Sequence, residues 1–193
     1  MAPMSSNEID PRLHQTLLEL ARESIAYGLR HGREPSVDPQ DYPPELRVPR
    51  ATFVTLHRGG QLRGCIGTLE AHRPLVSDVV ANAYAAAFSD PRFPPLSEPE
   101  LDDLDTSISV LTPPEEIHFH SEEELLEQLR PGIDGVILQE DGRRGTFLPS
   151  VWEQLPDRRQ FLEHLKLKAG LPPGYWSDSL RAYRYTAQEI GKS

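Results

Sequence analysis

Hydrophobic residues recur along this chain at helical spacing in several stretches, each with a recognisable start. The clearest lies between residues 10 and 32, where an Asp-Pro start and a terminal glycine bracket apolar positions three or four residues apart. A broader apolar stripe follows Pro74, and the capping residues Ser121, Ser150 and Asp157 each precede a further run. The pattern therefore predicts a series of helices separated by long intervals.

Shorter stretches rich in β-branched and aromatic residues lie between the predicted helices. Two tight-turn signals, Gly59-Gly60 and Asp141-Gly142, join neighbouring stretches into hairpins. The predicted strands cover residues 52–57, 62–69, 107–112, 136–138, 145–148 and 180–185. Strands grouped as hairpins with helices between them are typical of the α+β class, so we expect an antiparallel sheet with packed helices.

Length and composition narrow the class of protein. With 193 residues, of which 37% are hydrophobic, the chain suits one globular domain or two lobes that share a cleft. The formal net charge of −10 opposes nonspecific binding to nucleic acid and to acidic membranes. A single cysteine excludes an internal disulfide, and residues 1–8 lack a secretory pattern, so we expect a cytoplasmic protein with a flexible N-terminus over those residues.

The one cysteine, Cys65, lies in the hexapeptide Leu-Arg-Gly-Cys-Ile-Gly at residues 62–67. Gly64 and Gly67 either leave the backbone open to a ligand or allow a bulge or tight packing against a helix. Arg63 either binds an anion and favours the thiolate, or is an exposed residue in a surface ion pair. Cys65 itself is either a nucleophile or redox thiol, or a small buried hydrophobic residue.

The predicted hairpin decides which side chains accompany Cys65. If the two glycines at residues 59 and 60 form its tip, Cys65 lies opposite Val54 and shares a face with Leu56. His57 then points to the other face, which removes the nearest histidine as a base for the thiol. A slip of one residue reverses this assignment.

A second distinctive segment, Asp-Pro-Arg-Phe at residues 90–93, follows the helix that begins at Pro74. Asp90 and Arg92 either place charge at the rim of a cleft, or they belong to a turn whose Phe93 fills the core. Two histidines at residues 118 and 120 share one face of an extended segment, but no third ligand follows at a recognised spacing. We therefore expect no metal, and because the chain has neither a Walker loop nor a Rossmann fingerprint, we expect no cofactor.

These segments resemble the AMME chromosomal region protein family. The hexapeptide at residues 62–67 is similar to the signature of that family, and residues 82–96 resemble its next block. Further matches are Ile108–Pro114, Gly145–Trp152 and Lys168–Leu171. The likeness extends over roughly residues 12–187 in the expected order.

The resemblance implies a single domain over residues 9–190 with a larger and a smaller lobe flanking a cleft, the smaller lobe within residues 60–95. The likeness is strongest to stand-alone microbial members, which resemble the A component of the AmmeMemoRadiSam system. This implies a link to radical SAM and Memo-like proteins, but no settled activity. Many members carry a second cysteine before the Lys-Ala-Gly run, whereas His164–Lys168 contains none here, so we expect no mechanism that needs two thiols in one chain.

The leading hypothesis is a cytoplasmic accessory or binding protein, without a settled activity, whose site around the hexapeptide receives a small anionic ligand or a segment of a partner protein. The candidate binding residues are Arg63, Gly64, Gly67, Asp90, Arg92 and Phe93. In the alternative hypothesis, an enzyme, Cys65 is the catalytic nucleophile or redox thiol. An RNA-associated factor comes third because the chain is acidic.

Overall fold

The computed structural model describes residues 8–191, which form two compact units. Unit one contains the chain up to Pro113 and the stretch from Gln188 onward, and unit two is Pro114–Ala187. Residues 60–95, where the smaller lobe was expected, belong to unit one, whereas unit two is the smaller of the two. The expected flexible N-terminus lies outside the described residues except for Glu8.

Four α-helices and eight strands occur within residues 8–191. The helices are α1 (His14–His31), α2 (Leu75–Phe88), α3 (Glu122–Gln128) and α4 (Arg158–Lys168). The strands are β1 (Thr52–Arg58), β2 (Gln61–Gly67), β3 (Leu104–Leu111), β4 (Glu115–Ile117), β5 (Gly135–Glu140), β6 (Arg143–Phe147), β7 (Arg181–Tyr185) and β8 (Ala187–Ile190). None of these helices has the length and apolar character needed to cross a bilayer. The expected α+β class is confirmed, with two sheets in place of one.

In unit one the strands are ordered β2-β1-β3-β8, so β2 is an edge strand. The buried residues Val54, Leu56 and Ile108 of β1 and β3 share one hydrophobic core with the apolar side chains of α1 and α2. Side chains alternate along a strand, so Thr55 and His57 lie on the opposite face of the sheet from this core. The helices therefore cover one face of the sheet at the hexapeptide.

Unit two has the strand order β4-β7-β5-β6 and its own core. Trp152 stacks on Phe161 of α4, with ring centroids 3.7 Å apart. The predicted β5–β6 turn is confirmed, because Asp141 and Gly142 both have positive φ, at 46° and 81°. The helix expected after Ser150 is wrong, since this residue lies in a short 3₁₀ helix, and α4 begins only after Asp157.

The predicted register of the β1–β2 hairpin is wrong by one residue at Cys65. Cys65 pairs with Thr55 in place of Val54, because Arg63 is an extra, bulged residue between the tip and this pair. The sulfur therefore shares the face of Thr55, away from the helical core, and His57 alternates onto that face as well. The expectation that His57 points away from the thiol is thus overturned.

Candidate functional site

Asp90 and Arg92 hold the backbone of Cys65 at the open edge of β2. The Cys65 amide donates to Asp90 Oδ2 at 3.0 Å, and Arg92 Nη2 donates to the Cys65 carbonyl oxygen at 3.3 Å. The two side chains are joined to each other through Arg92 Nη2 and Asp90 Oδ2, 2.7 Å apart. They satisfy the outward polar groups of this peptide as a neighbouring strand would. The geometry explains why the hexapeptide and the Asp-Pro-Arg-Phe segment lie together.

Asp90 and Arg92 together form a clamp on Cys65, in which the carboxylate is buried and the guanidinium is not. Asp90 is 4% exposed, and the Arg92 side chain is 55% exposed. The hydrogen bond from Arg92, followed by that from the Cys65 amide, holds the pKa of Asp90 well below its ordinary value, although burial opposes this. Asp90 therefore remains ionised at neutral pH and balances the charge of Arg92.

Arg63 forms a second, more enclosed ion pair. Its Nε donates to Glu100 Oε2 at 2.7 Å and its Nη2 to the Pro94 carbonyl oxygen at 2.8 Å, while its side chain is only 11% exposed. The hydrogen bond from Arg63 lowers the pKa of Glu100 to about 2. Arg63 is thus an enclosed residue whose charge is paired with Glu100, although its third guanidinium nitrogen, Nη1, is buried without a hydrogen-bond partner among residues 8–191.

Phe93 lies close to both arginines. The guanidinium carbons of Arg92 and Arg63 are 5.5 Å and 5.9 Å from the centre of its ring, within the range of cation–π attraction. The ring is half-buried, so Phe93 does not fill the core as one of the two alternatives expected. It forms, with Arg92, a partly exposed aromatic and cationic surface.

The two glycines of the hexapeptide allow close packing. A Cβ at Gly64 would collide with the carbonyl oxygen of Ala86 in α2, and a Cβ at Gly67 would collide with the Phe53 ring. Of the two sequence alternatives, the contacts favour tight packing for Gly64 and Gly67.

Cys65 is partly buried and forms no disulfide. Its sulfur is 3.3 Å from Thr55 Oγ1, which is hydrogen-bonding distance. On the same face, His57 pairs across the sheet with Asp105. Within residues 8–191, no group of three or more histidine, cysteine or acidic side chains is arranged to hold a metal ion.

Most of the candidate residues meet in one place. The residues that converge are Arg63, Gly64, Cys65, Asp90, Arg92 and Phe93. Gly67 lies two positions along β2 from the cysteine. Sequence reasoning missed Glu100 and Thr55. The Ser97-x-x-Glu100 spacing signals a capping box, which is present, but nothing local indicates the ion pair between Glu100 and Arg63.

The structural role of Asp78, a buried residue of α2, was also not predicted from the sequence. Asp78 accepts hydrogen bonds from the amide and hydroxyl of Thr52, from Arg73 and from Asn82. This carboxylate fastens the start of β1 to α2 and so fixes the position of the strand beside β2. A single Asp in an apolar helical stripe carries no local signal for this role.

The sequence and fold are shared with proteins of one family. The sequence model of the AMMECR1 family matches residues 18–190. A protein of Methanothermobacter thermautotrophicus is 40% identical over 189 residues, covering 97% of this chain and 95% of its own length. One of Thermococcus onnurineus is 42% identical over 183 residues, covering 89% and 86%. The crystal structure of an uncharacterised protein from Pyrococcus horikoshii is similar with a TM-score of 0.87 and 38% identity, over 94% of this chain and 92% of that one. The chain therefore belongs to the AMMECR1 family, as its hexapeptide predicted.

Proposed function

We propose that this chain is a binding protein that presents Arg92 and Phe93 to a partner protein. The observation that carries the proposal is the clamp on Cys65, which fixes a half-exposed guanidinium beside an aromatic ring. Arginine and aromatic side chains are enriched among the residues that dominate protein interfaces. A side chain already held in place loses less conformational entropy on binding than a mobile one, which favours association.

The charge balance favours a protein partner over a small anion. Arg63 is paired with Glu100, and Arg92 is paired with Asp90. An anionic ligand would have to compete with Asp90 for the exposed Arg92, and the one guanidinium nitrogen of Arg63 without a partner, Nη1, is buried. An interface that buries the Phe93 ring and the outer side of Arg92 requires no such exchange.

For the partners we propose radical SAM and Memo-like proteins in the cytoplasm. The support is the likeness of the hexapeptide and its neighbouring blocks to stand-alone microbial members that resemble the A component of the AmmeMemoRadiSam system. A chain with a single cysteine forms no internal disulfide, which is consistent with a reducing compartment.

Calorimetric titration of the chain with purified radical SAM and Memo-like proteins tests the proposal. We expect Arg92→Gln and Phe93→Ala each to weaken binding by about tenfold or more, as truncation of dominant interface residues does. Arg33→Gln, which removes the same charge from an exposed position of unit one, serves as the matched control and should bind normally. Equal affinities for all variants, or no binding of the wild type to either protein, would refute the proposal.

A second candidate function, thiol chemistry at Cys65, is favoured by one observation. Cys65 is only partly buried, and its sulfur lies beside Thr55 Oγ1 on the face that also carries His57. This candidate predicts that iodoacetamide alkylates the folded protein at pH 7 faster than it alkylates a cysteine peptide, and that His57→Ala slows the reaction. A thiol that reacts only after unfolding would exclude it.

A further inference from the structure

Glu140 differs from the other buried carboxylates of the described chain. Those carboxylates are Asp78, Asp90, Asp134 and Glu140. Each aspartate has an arginine nitrogen within 2.7 Å of a carboxylate oxygen. Glu140, only 6% exposed, has no cationic group within ion-pair distance among residues 8–191. Its carboxyl group is thus buried without an ion-pair partner among those residues.

The partners of Glu140 orient it but do not neutralise it. Ser179 Oγ donates to one carboxylate oxygen at 2.7 Å and the Tyr175 hydroxyl to the other at 3.3 Å. Elsewhere in unit two, a buried charged group has partners of opposite charge. The fully buried Lys166 contacts Glu122 at 2.8 Å and Glu163 at 2.7 Å. Burying a carboxylate away from any cation is costly, and two neutral hydroxyl donors offset only part of that cost.

Glu140 lines a surface depression with an acidic lining. The depression has a volume of about 370 Å³, and a second one of about 320 Å³ shares Ser179 and Arg181 with it. Four carboxylates line the pair, namely those of Glu116, Glu140, Asp141 and Asp178. Arg181 is the one lysine or arginine side chain in this lining, and no carboxylate of residues 8–191 lies within ion-pair distance of it. Its guanidinium therefore forms no ion pair with any of the four carboxylates.

Aromatic rings complete the lining. Tyr175 borders the first depression and Phe119 the second. An ammonium beside an aromatic face gains cation–π attraction, and the alkyl chain that carries it gains apolar contact. A carboxylate also has more acceptor positions than the two hydroxyl donors occupy, so Glu140 can accept from an ammonium without losing them.

We propose that this double depression of unit two binds an organic cation with a primary ammonium group on an alkyl chain, with Glu140 as its counter-ion. The site lies wholly in unit two, so it is separate from the proposed role of Arg92 and Phe93. The same group is offered by a free diamine and by a lysine side chain of a peptide.

Calorimetric titrations at low salt with 1,5-diaminopentane, N-acetyl-lysine amide and magnesium chloride test the site. We expect saturable binding of at least one ammonium probe, weakened about tenfold or more in Glu140→Gln, since a charge-assisted hydrogen bond is lost. Glu127→Gln removes the same charge from an exposed position of α3 outside both depressions, and should bind as the wild type does. Binding of the diamine alone identifies a small amine, and binding of the lysine derivative alone identifies a peptide.

Three outcomes would overturn the proposal. Neither ammonium probe binds saturably, Glu140→Gln and Glu127→Gln weaken binding equally, or an equal concentration of magnesium displaces the amine. Because Glu140→Gln removes an unpaired buried charge, its thermal stability should equal or exceed that of the wild type. If that variant does not fold, Asp178→Asn at an exposed lining position provides the same comparison.

Discussion

The two glycines beside Cys65 meet different obstacles, and this difference can be measured. The obstacle at Gly64 is the backbone of α2 at Ala86, whereas the obstacle at Gly67 is the ring of Phe53. A side chain can move or be truncated, but the backbone of a packed helix cannot move without disturbing the core.

We expect Gly64→Ala and Gly67→Ala each to lower the free energy of unfolding by about 1–3 kcal/mol, the usual cost of overpacking. Adding Phe53→Ala should relieve much of the Gly67→Ala effect, because it removes the obstacle, and should not relieve Gly64→Ala. Urea unfolding of the single and double variants measures the coupling. Equal rescue at both glycines would contradict the assignment of Ala86 as the obstacle at Gly64.

The ion pair between Glu100 and Arg63 predicts a defined pH dependence. Arg63 lowers the pKa of Glu100 from 4.5 to about 2, so the pair contributes fully to stability above pH 4.5 and is lost as the pH falls towards 2. Glu100→Gln should therefore lower the free energy of unfolding by about 1–3 kcal/mol at pH 7. Urea unfolding between pH 7 and 2 should show this difference narrowing below pH 4.5; a constant difference would refute the pair as its source.

At the scale of elements, the Asp90–Arg92 clamp occupies an edge that would otherwise be open. β2 has only one strand neighbour, and the clamp satisfies the outward amide and carbonyl of Cys65. An unsatisfied edge is prone to pair with another chain, so the Asp-Pro-Arg-Phe turn protects β2 while it positions Arg92 and Phe93.

Amide hydrogen exchange tests this role. Asp90→Ala removes the acceptor of the Cys65 amide, so exchange at Cys65 should be faster than in the wild type. The increase should exceed any change at Val54, which lies in the interior of the sheet. Arg92→Ala leaves that acceptor in place and should accelerate Cys65 exchange less. Unchanged exchange at Cys65 in Asp90→Ala would show that the hydrogen bond does not protect the amide.

At the scale of the whole molecule, the chain leaves unit one after Pro113 and returns to it as β8. The returning segment is fastened by Glu189, which accepts from Ser109 at 2.9 Å, and by Gln188, which donates to the Ile9 carbonyl oxygen at 3.0 Å. Ile190 is fully buried in the core of unit one. Unit one therefore depends on residues at both ends of the described chain.

We expect a chain that ends at Thr186 to lose stability in unit one, by at least the roughly 1.5–3 kcal/mol that burial of a side chain such as Ile190 contributes. Hydrogen exchange of β3 should accelerate, because β8 is its neighbour in the sheet. A chain that ends at Gly191 keeps β8 and should behave as the full chain does. Unchanged exchange in the shorter chain would show that β8 is dispensable.

The sequence was most informative where interactions are local. Helix α1 follows from its Asp-Pro start and its terminal glycine at residue 32, and the β5–β6 turn follows from Asp141-Gly142. The short β4 and β8 carry no such signal, since strands of three and four residues are recognisable only by their partners. The β1–β2 register was wrong because a bulge at Arg63 is stabilised by contacts with distant residues.

The amino-acid order by itself determined the family, the α+β class, the principal helices and hairpins, and most of the residues that meet around Cys65. Hydrophobic period, caps and turn residues act over a few positions, so they can be read locally. Only the tertiary structure decided which face carries the thiol, that both arginines are matched by carboxylates, and that Glu140 is buried without a cation. Burial and charge pairing depend on residues far apart in sequence, and no local pattern records them.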